Sequence, residues 1–210
     1  MNPYIENLNW RYATKKFDAS KKVSKKDLEN LLEATALSAS SYGLQPYEIL
    51  VVEDAAMRSK LQPAAWGQSQ ITEASHLIVL ANQSTFGEEL VDDYLNNVSE
   101  TRGIPSNDLQ GYSDFMKSKL MPLSESAKAT WTARQTYIAL GNLLSAAADL
   151  KIDTCPMEVF DSAQFNEMLG LSKRGLNAAV LVAVGYRSKE DKTQHYKKVR
   201  KAKENLITHL

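Results

Sequence analysis

Three short stretches of the chain are apolar on successive residues, which is the pattern of β-strands covered on both faces. They are residues 47–52, 76–81 and 178–186. A fourth stretch, residues 154–157, is too short to be assigned from its pattern alone. Helical patterns separate these stretches, so the sequence predicts strands and helices packed in layers, an α+β (α/β layered) fold.

Helix boundaries can be placed from capping residues. Ser24 can cap a helix over residues 24–38, in which Leu28 and Leu31 recur at helical spacing. A second helix is predicted from Glu53–Asp54 to about residue 61, directly after the first strand. A short helix is also expected at the N-terminus.

Residues 127–150 form the longest helical pattern, and from residue 137 onward it is apolar nearly all round. Its small residues Gly141, Ala146 and Ala147 would let another backbone approach closely. A helix without a clear polar face is expected at the centre of the domain and also in a subunit interface. The pattern therefore predicts a homodimer.

Composition limits the classes of function. The 210 residues are 43% hydrophobic, enough for one core, so a single domain over residues 1–210 is expected. The formal net charge is zero, which gives no overall attraction to nucleic acid or to an anionic membrane. Cys155 is the only cysteine, and the N-terminus lacks the basic and apolar segments of a secretion signal. These features favour the cytoplasm.

Several catalytic motifs are missing from the sequence. It has no Gly-x-Gly-x-x-Gly, no P-loop, no Cys-x-x-Cys and no His-Glu-x-x-His. His76, His195 and His209 are far apart, so neither a metal site nor a Ser-His-Asp triad is expected. No apolar run reaches the roughly 20 residues of a membrane helix.

Five polar clusters could bind a ligand. Residues 11–18 combine an Arg fork with lysines, which suits an anion, although a solvated basic turn is the simpler interpretation. Residues 38–47 offer hydroxyls and free amides, or are only a helix end and a turn. Residues 63–70 contain two Gln amides that could bind a heterocycle, although surface Gln is common. Residues 153–158 and 197–201 are not interpretable alone.

In this order along the chain, the clusters resemble the nitroreductase family, whose members use FMN to reduce nitroaromatics, quinones and flavins. The matching segments span nearly the whole chain: residues 11–18, 40–47, 73–76, 131–144, 156–158 and 198–200. The resemblance implies a nitroreductase-like fold, with a central mixed β-sheet flanked by helices. It also implies an intertwined homodimer with two FMN sites at the interface.

The resemblance implies roles for individual residues. Arg11, Lys198 and Arg200 would bind the FMN phosphate, and Lys15 would lie near the N1/O2 edge of the flavin ring. The remaining expected flavin contacts are the pyrimidine-edge candidates Gln68 and Gln70, the N5 contact from the Glu158 amide, Ser40 and Ser41 from the partner subunit, and Tyr12, Ala13, Ala39, Gly43, Pro156 and Met157. Phe115 would cover the acceptor site, or it is only a core or surface aromatic residue.

The family's chemistry implies ping-pong transfer of two electrons from NAD(P)H to a nitroaromatic, quinone or flavin-like acceptor, with no catalytic side chain and no metal. One alternative is a non-catalytic flavin-binding protein for storage or sensing. Another is specialised chemistry within the family, such as dehalogenation or flavin fragmentation, decided by residues 86–123. Gly67, Gln70 and Val159 depart from the family pattern, and Gln70 removes a positive charge from the pyrimidine edge.

Overall fold

The computed structural model describes residues 2–210, which form a four-stranded sheet with helices against both of its faces. The strands in chain order are β1 Tyr47–Val52, β2 His76–Gln83, β3 Asp153–Met157 and β4 Leu176–Gly185. Their order across the sheet is β1-β2-β4-β3. The three apolar stretches thus become β1, β2 and β4, and the stretch that was too short to assign is the edge strand β3.

The strands pair antiparallel throughout, whereas the family resemblance implied a mixed sheet. The parallel component is confined to one isolated bridge, between Ala13 and Thr154 on the free edge of β3. Continuous apolar runs report that both faces of a strand are covered, and they do not report its direction. The prediction that both faces of the strand are covered is confirmed for β2, because its residues 77–81 are completely buried.

Eight α-helices surround the sheet within the described residues: α1 Pro3–Trp10, α2 Lys25–Ala36, α3 Ala55–Leu61, α4 Gln70–Glu73, α5 Glu89–Arg102, α6 Gln110–Leu120, α7 Glu125–Asp149 and α8 Ser162–Met168. The predicted caps are present. Ser24 Oγ accepts a hydrogen bond from the Asp27 amide at 3.1 Å, and Asp54 Oδ1 accepts from the Ala56 amide at 2.7 Å.

The apolar core has one layer on each side of the sheet. Ile78, Leu80 and Leu143 of α7 belong to the first layer, and Leu77 and Phe165 of α8 to the second. A separate cluster joins α5 and α6 to Leu44 and to Phe86, which follows β2. The 25-residue helix α7 therefore lies against the sheet, as the sequence predicted for the most apolar helix.

Two buried carboxylates join distant parts of the chain at the edge of the sheet. The first is Asp153 in β3, whose Oδ1 accepts from Arg187 Nε at 2.7 Å and whose Oδ2 accepts from the Arg187 amide at 2.8 Å. The Arg187 guanidinium also lies over the rings of Trp10 and Tyr12, at 4.3 and 4.6 Å from their centroids. This cluster fixes the end of α1 against the end of β4.

The second carboxylate, Asp191, holds the turn that follows α1. Its Oδ2 accepts from the Lys15 amide at 2.8 Å, the Lys16 amide at 3.2 Å and the Tyr12 hydroxyl at 2.9 Å. Its Oδ1 accepts from the amide and the hydroxyl of Thr193. Burial would raise the pKa of Asp191, but these hydrogen bonds outweigh it and lower the pKa to about 2.

The Asp191→Asn substitution should destabilise the fold by about 2 kcal/mol at pH 7, because an amide cannot satisfy the same donors with a full charge. Since the folded-state pKa lies below the ordinary value of 3.8, the contribution of Asp191 is present above about pH 4 and is lost as the pH falls towards 2. Urea unfolding at pH 7 and in acid measures the difference, which should shrink in acid.

Glu190→Gln is the matched control, because Glu190 is exposed and forms only a surface ion pair with Lys16. It should change the free energy of unfolding very little at either pH. Equal unfolding curves for Asp191→Asn and Glu190→Gln at pH 7 would contradict the role given to Asp191.

Candidate functional site

The turn after α1 and the C-terminal segment meet in an open pocket of about 440 Å³. This volume is within the range of small-molecule sites in proteins. Its lining consists of Asn9, Trp10, Arg11, Tyr12, Ala13, Lys15, Thr193, Gln194, Tyr196, Lys197, Lys198 and Arg200. Six of the predicted cofactor-binding residues are therefore brought together, from parts of the chain that are almost 190 residues apart.

Positive charge is concentrated in this pocket. Burial and the nearby Arg200 lower the pKa of Arg11, and burial, Arg11 and Arg200 lower the pKa of Lys198. Lys198 Nζ donates to the Arg11 carbonyl, whereas Arg11 Nε is buried and has no hydrogen-bond partner. A buried guanidinium donor beside two further cations fits a phosphate group, which supplies charge and acceptor oxygens together.

The turn after α1 is joined to the edge strand of the sheet. Ala13 bridges to Thr154 in β3, so the basic turn lies against the strand that ends in Met157. Cys155 in the same strand is 2% exposed; burial raises its pKa, and the charge of Lys15 and a hydrogen bond with Gln70 act in the opposite direction. Lys15 and Gln70 therefore both lie near Cys155, which is a buried small residue, as predicted.

The turn after β3 contains Glu158 and is held from two sides. Gln68 Nε2 donates to the Val159 carbonyl at 2.8 Å and to the Ala65 carbonyl at 3.0 Å. Tyr137 of α7 donates its hydroxyl to Glu158 Oε1. Burial and this contact raise the pKa of Tyr137 to about 12. The Gln68 amide is thus committed to backbone carbonyls, which leaves its oxygen available to a ligand.

The segment that contains Ser40 and Ser41, the two residues expected from the partner subunit, lies against helices α5 to α7. The Ser41 amide donates to Gln135 Oε1 of α7 at 2.8 Å. Gly43 has φ +83°, and a Cβ there would lie 2.9 Å from the hydroxyl oxygen of Tyr94 in α5. Phe115 of α6 is 48% exposed and packs edge-on against Tyr42. Ala39, Ser40, Ser41, Gly43 and Phe115 are therefore not brought to the basic pocket within one chain.

Part of α7 is left uncovered. Ile138 is 47% exposed and Tyr137 is 41% exposed, although the sequence around them is apolar. Ile138 and Gly141 line an open groove with Leu37, which follows α2 and is 78% exposed, and with Tyr4 of α1. Ala39 lines the same groove. An apolar face of this kind next to Ala39 is typical of a protein interface.

Neither a metal site nor a membrane-spanning helix is found within residues 2–210. They contain no group of three or more His, Cys, Asp or Glu side chains that could hold a metal ion. No helix there is long and apolar enough to cross a membrane.

Sequence reasoning missed the residues that shape the pocket. Asp191 contacts Tyr12 across 179 positions, and Arg187 contacts Asp153 across 34. The signal for Asp191 was partial, because an Asp two positions before a Thr is typical of a capped turn and Asp191 does cap Lys192–His195. Nothing in the sequence indicated that the same carboxylate also holds the N-terminal turn.

Comparison with known proteins agrees with this architecture. A protein of Bacillus subtilis, YfkO, provisionally named an NAD(P)H nitroreductase, is 36% identical over 214 residues and covers 97% of this chain and 95% of its own length. The crystal structure of YdfN, also from Bacillus subtilis and also provisionally called a nitroreductase, superposes with a TM-score of 0.89 at 19% identity. It covers 99% of each chain.

A third protein, provisionally described as a nitroreductase from Exiguobacterium sibiricum, was solved in complex with FMN. It superposes with a TM-score of 0.83 at 19% identity, covering 99% of this chain and 97% of its own. The model of the Nitroreductase family matches residues 8–186, which include α1 from Leu8 onward, all four strands and helices α2 to α8. The chain therefore belongs to the nitroreductase family.

Proposed function

We propose that this protein is an FMN-dependent oxidoreductase that passes two electrons from NAD(P)H to nitroaromatic, quinone or flavin-like acceptors in the cytoplasm. The observation that carries the proposal is the basic pocket, where Arg11 Nε is buried without a partner beside Lys198 and Arg200. Family membership and the FMN bound by the Exiguobacterium relative support the same cofactor.

Different residues of the chain would contact the phosphate and the ring of such a cofactor. Arg11, Lys198 and Arg200 would hold the phosphate by charge-assisted hydrogen bonds. Lys15 would place positive charge near the N1/O2 edge of the ring, with the oxygen of Gln68 also available to the ring. Other contacts are assigned to Tyr12, Ala13, Gln70, Pro156, Met157 and the Glu158 amide.

FMN bound in this pocket would supply two-electron redox chemistry between a nicotinamide and an acceptor, and the donor and the acceptor would use one place in turn. The protein's own residues would bind and orient the cofactor and polarise its ring. The Tyr137 hydroxyl holds the Glu158 side chain, and Gln68 holds the next carbonyl, so the turn that faces the ring is fixed from both sides. No nucleophilic side chain is needed.

We further propose that two chains form a homodimer through the uncovered face of α7. The face would be buried by its symmetry-related copy, as in an isologous interface. The dimer would bring Ser40 and Ser41 of one subunit to the basic pocket of the other, which explains why one chain does not bring them together. Phe115, exposed on α6, would then cover the acceptor site.

The visible spectrum of the purified protein tests the cofactor and the reaction together. We expect a yellow protein whose absorbance bleaches with NADH or NADPH without oxygen and returns with a quinone or a nitroaromatic. Colourless protein that does not take up added FMN would reject the proposal. Bound FMN that neither nicotinamide reduces would instead favour the non-catalytic storage or sensor function.

Arg11→Ala tests the phosphate site. The substitution should weaken FMN binding by about 10- to 150-fold, because a charge-assisted hydrogen bond contributes about 1.5–3 kcal/mol. Quenching of flavin fluorescence on titration into flavin-free protein measures the affinity. Lys173→Ala is the matched control, since Lys173 is an exposed cation outside the pocket lining, and the FMN affinity of this variant should equal that of the wild type.

Ile138→Glu tests the dimer. A carboxylate in the middle of an apolar interface should raise the dimer dissociation constant by about 100-fold or more, because it would be buried without a partner. Sedimentation equilibrium measures this, and the FMN content should fall in parallel because Ser40 and Ser41 would be lost from the site.

The control for Ile138→Glu is Ser126→Glu, an exposed position in the first turn of the same helix. It should leave both the dimer and the FMN content unchanged. A wild-type protein that is monomeric at micromolar concentration, or an Ile138→Glu variant that dimerises normally, would contradict the proposed interface.

A further inference from the structure

Asp191 lies directly behind the lining of the basic pocket. Three residues of that lining donate hydrogen bonds to its carboxylate: Tyr12 through its hydroxyl, Lys15 through its amide, and Thr193 through both groups. The Lys16 amide adds a fifth hydrogen bond. Every one of these contacts lies within a single chain, and together they leave Asp191 only 3% exposed.

The charge of Asp191 is not neutralised by an ion pair. Its five donors are three backbone amides and two hydroxyls, all of them neutral groups. No cationic side chain of residues 2–210 pairs with it, whereas the other buried carboxylate of this region, Asp153, is paired with Arg187. Burial raises the pKa of Asp191, but the hydrogen bonds outweigh burial and lower the pKa to about 2. A full negative charge is therefore fixed behind the pocket at neutral pH.

This charge acts on the strand beside which the flavin ring would lie. The Cys155 thiol of β3 is affected by it: burial raises the pKa of the thiol, the Lys15 ammonium lowers it, and Asp191 raises it further. Lys15 and Asp191 therefore act in opposite senses on one strand, and the residues next along the chain, Met157 and Glu158, are the ones expected to contact the ring. Buried charges act over several ångströms, because the effective dielectric constant of a protein is well below that of water.

We propose that Asp191 tunes the electron affinity of the bound flavin, because its fixed negative charge opposes the charge of Lys15 and makes the ring harder to reduce. The inference rests on the proposed function, in which this pocket holds FMN. Two-electron reduction adds negative charge to the N1/O2 edge of the ring, where Lys15 is expected. A nearby cation favours the reduced form and a nearby anion disfavours it.

The balance between Lys15 and Asp191 bears on the acceptors that the protein can reduce. A negative charge behind the ring makes electron transfer from the nicotinamide less favourable, and it makes transfer to the acceptor more favourable by the same amount. Lys15 acts in the reverse sense. With Asp191 ionised, the reduced protein can pass electrons to acceptors of lower potential, such as nitroaromatics, than Lys15 alone would allow.

Asp191→Asn tests the inference through the midpoint potential of the bound FMN, measured without oxygen against a redox dye of known potential. The amide removes the charge and keeps an oxygen that can accept from the turn. At a fixed potential, the ratio of reduced to oxidised FMN should rise about tenfold, which raises the midpoint potential of a two-electron couple by about 30 mV. A loosened turn would give the opposite sign, because Lys15 would move away from the ring.

Glu190→Gln is the matched control, because Glu190 is the preceding residue, is exposed and pairs with Lys16 at the surface. Solvent screens its charge, so the potential should equal that of the wild type. Asp191→Ser is a second neutral variant, smaller than the aspartate, and should also raise the potential. Lys15→Gln should lower it, which calibrates the measurement. Circular dichroism and an FMN titration verify that each variant is folded and loaded.

The possible outcomes separate this inference from the proposed function. An unchanged or lower potential in the neutral variants that bind FMN would overturn the inference. If the potential rises as expected but neither nicotinamide reduces the wild type, the inference stands and the reductase function fails. If a nicotinamide reduces the wild type and the potential does not respond to Asp191, the function stands and the inference fails. A chain that does not bind FMN rejects both.

Discussion

The carboxylate of Asp191 is the contact on which the site depends. Its two oxygens accept from two backbone amides of the N-terminal turn, from the Tyr12 hydroxyl and from Thr193. It is also a buried negative charge, 3% exposed, beside a pocket whose charged lining residues are cations. One residue thus orders the backbone that carries Arg11 and Lys15 and offsets part of their repulsion. The Asp153–Arg187 pair fixes the same turn from the side of the sheet.

The sheet and this turn together would build half of the proposed site. The basic turn is joined to β3 by the bridge from Ala13 to Thr154, and it is fixed there because Thr14 and Thr154 are both buried. Ser41 is held just as firmly, by Gln135 of α7, but on a different part of the molecule. Two well-fixed halves that do not meet in one chain, next to an uncovered apolar helix, are the arrangement expected of a site shared by two subunits.

Much of the fold was predictable because the signals were local. The apolar runs of β1, β2 and β4 and the Ser24 cap of α2 each report burial or capping within a few residues. The edge strand β3 was not assigned, because it has only five residues and contains Pro156. Strand direction was not encoded in the apolar runs. In the site, the cations could be named through the family resemblance, but the contact of Asp191 with Tyr12, 179 positions away, had no local signal.

The cations of the pocket should also link ligand binding to the stability of the folded chain. The chain has no net charge, yet Lys197 and Lys198 of its C-terminal segment line the pocket with Arg11, and neither forms an ion pair within residues 2–210. Cations that are partly buried and unpaired destabilise the folded state, because each loses hydration and gains repulsion. A ligand that binds only the folded chain shifts the folding equilibrium by its own binding free energy. A phosphate-bearing cofactor bound in this pocket would thus also stabilise the fold, because within the described residues Asp191 bonds to the turn after α1 and to Thr193 but not to Lys197 or Lys198.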